Sequence, residues 1–415
     1  MSTPADSEAA RPPEPAPPAN VSSTSAPRLS VIVPVRNSAS QLEACLKHLQ
    51  ASSYTDFEVI VVDDASTDDS PRLAQRLAAQ VVHMPRQSGP AAARNAGAAQ
   101  ARGRYLLFVD ADVCVHPDTL AAVAARFEAE PDLAALFGSY DDCPPARNLI
   151  SQYKNLFHHF THQHGQPEAT TFWAGCGAVR RDVFAAVGGF DPSYGRPSIE
   201  DIELGARLWR AGHRIRLCPE IQAAHLKRWS LWGMIRSDVR DRALPWTMLI
   251  RRERHLPNDL NLKSSQRASA LVACVLAVLL LAASIRAPWL LAAAAGGAAA
   301  LALLDYLSDH GLPSWLCQAL FAALLAAAGW GLAWEFGWWA ALPLGLTGLV
   351  VLLNIKLYRF FAERRGPLFA VLACPLHLLY YVYSVAAFAA GMVMAARKSR
   401  ARLSSSHAAN SVPGA

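Results

Sequence analysis

Short apolar runs alternate with stretches of helical spacing through the first half of the chain, and much longer apolar runs fill the second. LSVIVPV (Leu29 to Val35), FEVIVVD (Phe57 to Asp63) and RYLLFVD (Arg104 to Asp110) have the length and β-branched content of buried strands. Between the first two, Leu42, Cys45, Leu46 and Leu49 fall on one helical face. SPRLAQRLAAQ predicts a second helix and AAARNAGAAQA a third. Strand–helix–strand at this spacing predicts right-handed βαβ units and a mostly parallel sheet. Such sheets bind ligands beyond the carboxyl ends of their strands. Each strong strand here ends on polar residues: Pro34 to Asn37, Asp63 with Asp64, and Asp110 with Asp112. From Phe137 to about Leu262 the pattern is less regular. It holds an aromatic and histidine-rich stretch (SQYKNLFHHFTHQHG), a glycine-rich strand-like piece (FWAGCGAV) and an amphipathic helix beginning near Ile199, read as the second half of the same domain.

The long apolar runs predict membrane helices. Ala268 to Ile285 and Ala287 to Leu304 are each about 18 residues, near the lower limit for a bilayer span, with Arg286, Ala287 and Pro288 as the turn between them. Pro313 to Trp334 and Gly337 to Ile355 form a second pair. Pro367 to Ala396 is a fifth run, interrupted by Pro375 and His377, which either crosses once or bends back. The expected organisation is a disordered Pro/Ala/Ser-rich tail over 1–28, an α/β domain over 29–262, an all-α multi-pass transmembrane region of four or five helices over 263–396, and a disordered basic tail over 397–415.

Composition agrees with two regimes. The 415 residues are 52% hydrophobic with a net charge of +6, and the mean hydropathy is +0.16. The surplus Lys and Arg gather at 251–267, 356–365 and 397–402, each beside an apolar run. That is the placement of the positive-inside rule and of contact with anionic lipid, not the basic stripe of a nucleic-acid binder. The eight cysteines are dispersed with no C-x-x-C pair, so neither a disulfide framework nor a zinc knuckle is expected, and the compartment is reducing. Residues 1–28 carry no signal-type apolar core. The expectation is an inner-membrane protein whose α/β half stays in the cytoplasm.

Candidate chemistry lies at the strand ends. Asp110-Ala111-Asp112 places carboxylates at i and i+2 after a buried strand, where both can approach one cation with phosphate oxygens completing its shell. Alone, such a triplet is often a chance surface turn. Asp64 can accept from a base N–H or a ribose hydroxyl, while Ser66 or Asp68 caps the helix that follows. Glu200-Asp201 opens a helix, where acids complement the macrodipole; the same dipole keeps a carboxylate ionised, as a general base must be. His158 and His162 share a helical face, but no H-E-x-x-H accompanies them. A polar groove or a headgroup-contacting surface is the better reading there.

Taken in order, VIVPVRN, EVIVVDDASTDDS, SGPAAARNAGAAQARGRYLLFVDAD, AGCGAVRRDVF, VGGFD and IEDIELGARLWRAGHRI resemble the family 2 glycosyltransferases, the inverting group of the GT-A fold. The resemblance covers about Leu29 to Trp229. It implies a nucleotide-diphosphate sugar as donor and a divalent metal, Mg²⁺ or Mn²⁺. It places Pro34, Val35, Arg36, Asn37 and Asp64 at the base and ribose and Arg94 near the nucleotide. Asp110, Ala111 and Asp112 would meet the metal and the ribose–diphosphate, and Asp201, beside Glu200, would be the general base. Trp173 and Gly175 fall where acceptor and diphosphate meet. His225-Leu226-Lys227-Arg228-Trp229 is similar to the Q-x-x-R-W element of processive members such as cellulose and hyaluronan synthases, with His for Gln. The resemblance puts Trp229 at the acceptor, Arg228 at the diphosphate and His225 near the metal, and the departure favours single transfer. The expected activity is inverting transfer to a membrane lipid or glycolipid in cell-envelope glycan synthesis. The rivals are a processive synthase that exports its product and a silent nucleotide-sugar-binding membrane protein.

Overall fold

The computed structural model describes residues 26–77, 80–253 and 260–410. The predicted strands form where the apolar runs lie: β1 (Leu29–Val35), β2 (Phe57–Asp63) and β4 (Tyr105–Val109), joined through α1 (Ala39–Gln50), α2 (Ser70–Leu77), β3 (Gln80–His83) and α3 (Pro90–Gln100). The chain continues through β5 (Val113–Val115), α4 (Thr119–Ala129), β6 (Leu133–Tyr140), α5 (Leu149–Gln163), β7 (Cys176–Arg180), α6 (Arg181–Ala186), α7 (Glu200–Arg210) and β8 (Arg214–His225). One eight-stranded sheet results, in the order β3-β2-β1-β4-β7-β6-β8-β5. Only β7 and β5 run against the others, so the sheet is mostly parallel, as the βαβ spacing requires.

Apolar side chains fill both faces. One layer packs Leu42, Leu46 and Leu49 of α1 with Leu73 of α2 and Val123 and Phe127 of α4. The other packs Ala93 of α3, Phe184 of α6 and Leu204 and Leu208 of α7. The domain is therefore a three-layer α/β/α sandwich. All eight cysteines are free thiols.

After β8 the chain forms a helix that the sequence reading did not single out. It comprises α8 (Leu231–Arg236), a π-helical turn (Ser237–Ala243) and α9 (Leu244–Glu253). Ser230 caps it, its Oγ accepting the Gly233 N–H at 3.1 Å. Then come α10 (Ser264–Arg286), α11 (Trp289–Asp309), α12 (Ser314–Phe336), α13 (Ala341–Leu353), α14 (Ile355–Arg365) and α15 (Pro367–Asn410). Among the described residues, four stretches are long and apolar enough to cross a membrane: Ser264–Arg286, Trp289–Ser308, Ser314–Leu353 and Pro367–Arg397. Their outer faces are bare of protein, with Ile285 and Trp334 each 82% exposed. The expected second pair of helices corresponds to α12 and α13, joined by a 3-10 turn (Gly337–Ala340). The 13 residues of α13 reach only about 20 Å, short of a hydrocarbon core of about 30 Å.

The helix is not interrupted at Pro375, which α15 carries within its length. Its buried residues pack on α5 and on α14 through Phe369, Leu372 and Leu376. Further along, Tyr383 donates to Asp238 of the π-helical turn at 2.6 Å, and the Met392 carbonyl accepts from Arg251 of α9 at 3.3 Å. One face of α15 thus follows the underside of the α/β domain for most of its apolar length. Residues 1–25 and 411–415 of the expected tails lie outside the described residues, and α15 runs to Asn410 across the rest of the expected basic tail.

Candidate active site

The loops after β1 and β2 are tied to each other. Asn37, in the left-handed region at φ 50°, accepts the Thr67 N–H at 2.7 Å and donates its own N–H to Ser66 Oγ at 3.0 Å. Asp68 caps the start of α1, accepting the Ala39 N–H at 3.1 Å, and also takes the Ser70 N–H at 3.0 Å. Arg36 and Asn37 are exposed and Val35 is buried, so Val35 offers only its main chain, and its carbonyl accepts the Asp64 N–H at 2.9 Å. Asp64 is 4% exposed, and its carboxylate accepts from the Ser88 and Gly89 N–H groups at 2.7 and 2.9 Å. The side chain expected to meet a nucleotide therefore also fixes the entry to α3.

That entry aims Arg94, which is the hub of the site. Its Nη2 donates to Asp110 Oδ1 at 2.6 Å and its Nη1 to Glu200 Oε1 at 2.9 Å. Arg94 is 5% exposed and Glu200 4%, and the two carboxylates hold the guanidinium firmly protonated despite its burial. One buried cation thus joins α3, the end of β4 and the start of α7. Glu200 spends its other oxygen on the Ser198 N–H at 2.8 Å, so both of its oxygens are engaged.

Asp201 accepts the Ala174 N–H on Oδ2 at 3.2 Å and the Ile202 N–H on Oδ1 at 2.8 Å. Burial, then the Glu200 charge, pushes it up to about 6, against the pull of Arg94. A carboxylate near 6 is still mostly ionised at neutral pH and is basic enough to take a proton.

Asp110 is raised by withdrawal from water, opposed by Arg94 and reinforced by Asp112. Asp112 is lowered, because His225 and then Lys227 outweigh its burial. The pairing of β5 with β8 brings His225 here: Val113 is in register with His225, and the Leu226 N–H donates to the Asp112 carbonyl at 2.8 Å. The His225 ring stacks on Tyr140 at 4.1 Å. Its Nδ1 lies 2.7 Å from Asn155 Oδ1, an acceptor, so Nδ1 carries the proton. Nε2 then faces Asp112 Oδ2 at 3.6 Å, and two electron-rich atoms so placed need a proton or a cation between them. Two ligands each about 2.1 Å from one Mg²⁺ stand no more than about 4.2 Å apart, so the residues fit a divalent ion. Among the described residues no three His, Cys, Asp or Glu side chains form a metal cluster.

Trp173 and Gly175 sit beside these acids. A Cβ on Gly175 would lie 2.4 Å from the Trp173 ring, which explains the glycine, and the Gly175 carbonyl accepts the Asp110 N–H at 3.3 Å. Trp173 meets Tyr140, His158 and His162 edge-on or tilted. The histidine stretch is largely core. His159 and His162 use Nδ1 on the carbonyls of Tyr140 and Gly138, where β6 is irregular against β8. Burial lowers His162 to about 4 and His158 well below its usual value. These rings are neutral struts, and the polar groove expected here is reduced to His158 and His162 against Trp173.

Trp229 is 5% exposed and packs among α5 and the apolar helices, so no acceptor ring can stack on it as placed. Lys227 Nζ lies 4.3 Å over its ring. Arg228 Nη2 reaches Asp305 of α11 at 3.3 Å.

Residues 30–188 match the family model described as glycosyl transferase family 2. A pre-mycofactocin glycosyltransferase of Mycobacterium tuberculosis is 31% identical over 214 residues, covering 49% of this chain and 43% of that protein. A PGL/p-HBAD biosynthesis glycosyltransferase of Mycobacterium bovis is 39% identical over 116 residues, covering 26% of this chain and 44% of that protein. The matched region thus spans less than half the length of either relative. Among solved structures, a mannosyltransferase from Pyrobaculum calidifontis in complex with GDP-Man and Mn²⁺ is 19% identical at a TM-score of 0.42, covering 86% of this chain and 88% of that one.

Proposed function

The chain belongs to glycosyl transferase family 2 through residues 30–188, and from that premise we propose that it moves a sugar, with inversion, from a nucleotide-diphosphate sugar to a membrane-held acceptor. The observation that carries this reading is the joining of Asp110, Glu200 and Asp201 around Arg94, with Asp112 and His225 beside them, at the carboxyl rim of the sheet.

In this mechanism the exposed Arg36 and Asn37, with Pro34, Val35 and Asp64, border the base and ribose, and Arg94 fixes the acids on the ribose–diphosphate side. Asp112 and His225, with Asp110, would hold a Mg²⁺ or Mn²⁺. That ion would neutralise charge on the departing diphosphate. Asp201 takes the proton from an acceptor hydroxyl while its oxygen bonds to the anomeric carbon. The bond from that carbon to the diphosphate oxygen breaks on the opposite face, which inverts the centre. Lys227 adds positive charge on the leaving side.

A lipid or glycolipid acceptor is supported by the placement of the apolar helices. We place α10 and α11, then α12 with α13, as paired excursions into the bilayer that return to the side of the α/β domain, taken as cytoplasmic. We place α15 along the interface, since its face follows α5, the π-helical turn and α9. Both basic flanks of α15 then lie on one side, as the positive-inside rule asks. A panel of nucleotide sugars given to the purified full chain with membrane lipid extract should yield a lipid product larger by one sugar, read by mass spectrometry. A ladder of products would replace single transfer with polymerisation, and no product with any donor would end the proposal.

A further inference from the structure

Asp305 lies one turn from the end of α11, within the apolar stretch Trp289–Ser308. An acid in such a helix is costly and marks function through its partner. Asp305 is 8% exposed, and two of its partners belong to the α/β domain and the segment that follows β8. Asn148, at the start of α5, donates from Nδ2 to Asp305 Oδ1 at 2.5 Å, and Arg228 Nη2 lies 3.3 Å from Oδ2. The same Asn148 Nδ2 donates to the Trp229 carbonyl at 2.8 Å, and the Trp229 N–H donates to Ser151 Oγ at 2.7 Å.

The segment from His225 to Trp229 is therefore fixed at both ends. At one end His225 faces Asp112 at 3.6 Å; at the other, the side chain of Arg228 reaches Asp305, and the carbonyl of Trp229 shares the Asn148 amide with it. Between them Lys227 and Arg228 present two cations. The Arg228 side chain is 41% exposed while that of Asp305 is 7%, so the pair has a buried anchor and a head that solutes can reach.

We infer that Asp305 is a positioning residue for Arg228, through which the membrane helix α11 sets the diphosphate side of the donor site. The inference rests on the proposed function, since it takes the anion that Arg228 meets to be the leaving diphosphate. An arginine held by a carboxylate loses less freedom when it binds a second anion, so Asp305 contributes to affinity without touching the donor.

The test is calorimetric titration of the detergent-solubilised full chain, in Mn²⁺, with UDP, GDP and ADP as probes. Asp305→Asn, which keeps the shape and an acceptor for Asn148, is expected to weaken the tightest-binding diphosphate roughly tenfold, the order of one charge-assisted contact. Arg228→Gln is expected to weaken it at least as much, and the double variant no further than Arg228→Gln alone. Asp305→Glu, which restores the charge, should recover most of the loss and guards against a fold defect in Asp305→Asn. Wild-type affinity in Asp305→Asn, or losses that multiply in the double variant, would overturn the inference while leaving the glycosyltransferase reading intact. A wild-type chain that binds none of the three would remove both.

Discussion

Asp201→Asn is expected to lower the rate of sugar transfer by about 10²- to 10⁴-fold, the range of a positioned general base, with nucleotide-sugar affinity nearly unchanged. The asparagine keeps the shape and can still accept the Ala174 N–H, so the loss is that of a proton acceptor. The wild-type pH profile follows from the same residue. Burial and Glu200 push Asp201 up to about 6, and the base works only when ionised. The rate should therefore rise with pH through about 6 and level off above it, and the variant should lose that limb. Stability runs the other way. A carboxyl whose folded-state value lies above its unfolded one binds its proton more tightly when folded, so stability falls as pH rises from the ordinary carboxylate range through about 6. At neutral pH the ionised Asp201 is thus held at a cost, and Asp201→Asn should unfold at a temperature no lower than the wild type. Initial rates and thermal unfolding between pH 5 and 8 check both statements.

The largest structural effect is expected at Arg94. Arg94→Met removes the one cation between Asp110 and Glu200, both of which it contacts within hydrogen-bond distance. Removing one partner of a buried pair costs about 3–5 kcal/mol, because the charge left behind has neither water nor a counter-ion. The contrast is Lys47–Glu43, an exposed pair on α1, whose loss should leave stability nearly unchanged. The Arg94 charge also pulls Asp201 downward, so Arg94→Met should move the acid limb of any residual activity to higher pH. Adding Glu200→Gln should restore part of the stability, since it removes one stranded charge. Chemical denaturation of the three proteins measures the first effect and rate–pH profiles the second.

The parts of this site that share a strand or a helix turn were legible from the sequence. Asp110 and Asp112 follow an apolar run and Asp201 opens an amphipathic helix, so their places in the fold were read from local pattern. Partners far apart in the chain were not. Nothing local to Asp64 says that the N–H groups of Ser88 and Gly89 occupy its carboxylate, and nothing local to Glu200 says that it turns inward to Arg94. The histidine stretch misled because exposed and buried imidazoles look alike in sequence; the irregular pairing of β6, whose free carbonyls need donors, is a tertiary fact. Trp229 was assigned by resemblance to an acceptor, yet it is buried against helices whose packing no short motif encodes. Two signals could have been used. Ser230 followed by apolar residues at 231, 234 and 235 marks a helix start, and Asp305 in an apolar stretch calls for a cation.

The central claim is that the acids at this rim gather around a divalent ion and a nucleotide sugar. The most direct measurement is binding of a panel of nucleotide sugars to the purified chain in Mn²⁺ and in chelator, with Asp112→Asn and Asp201→Asn alongside. The account predicts that one donor binds in Mn²⁺, that chelation or Asp112→Asn abolishes this binding, and that Asp201→Asn leaves it intact. Affinity that ignored both the metal and Asp112, or the absence of binding by every donor, would contradict it.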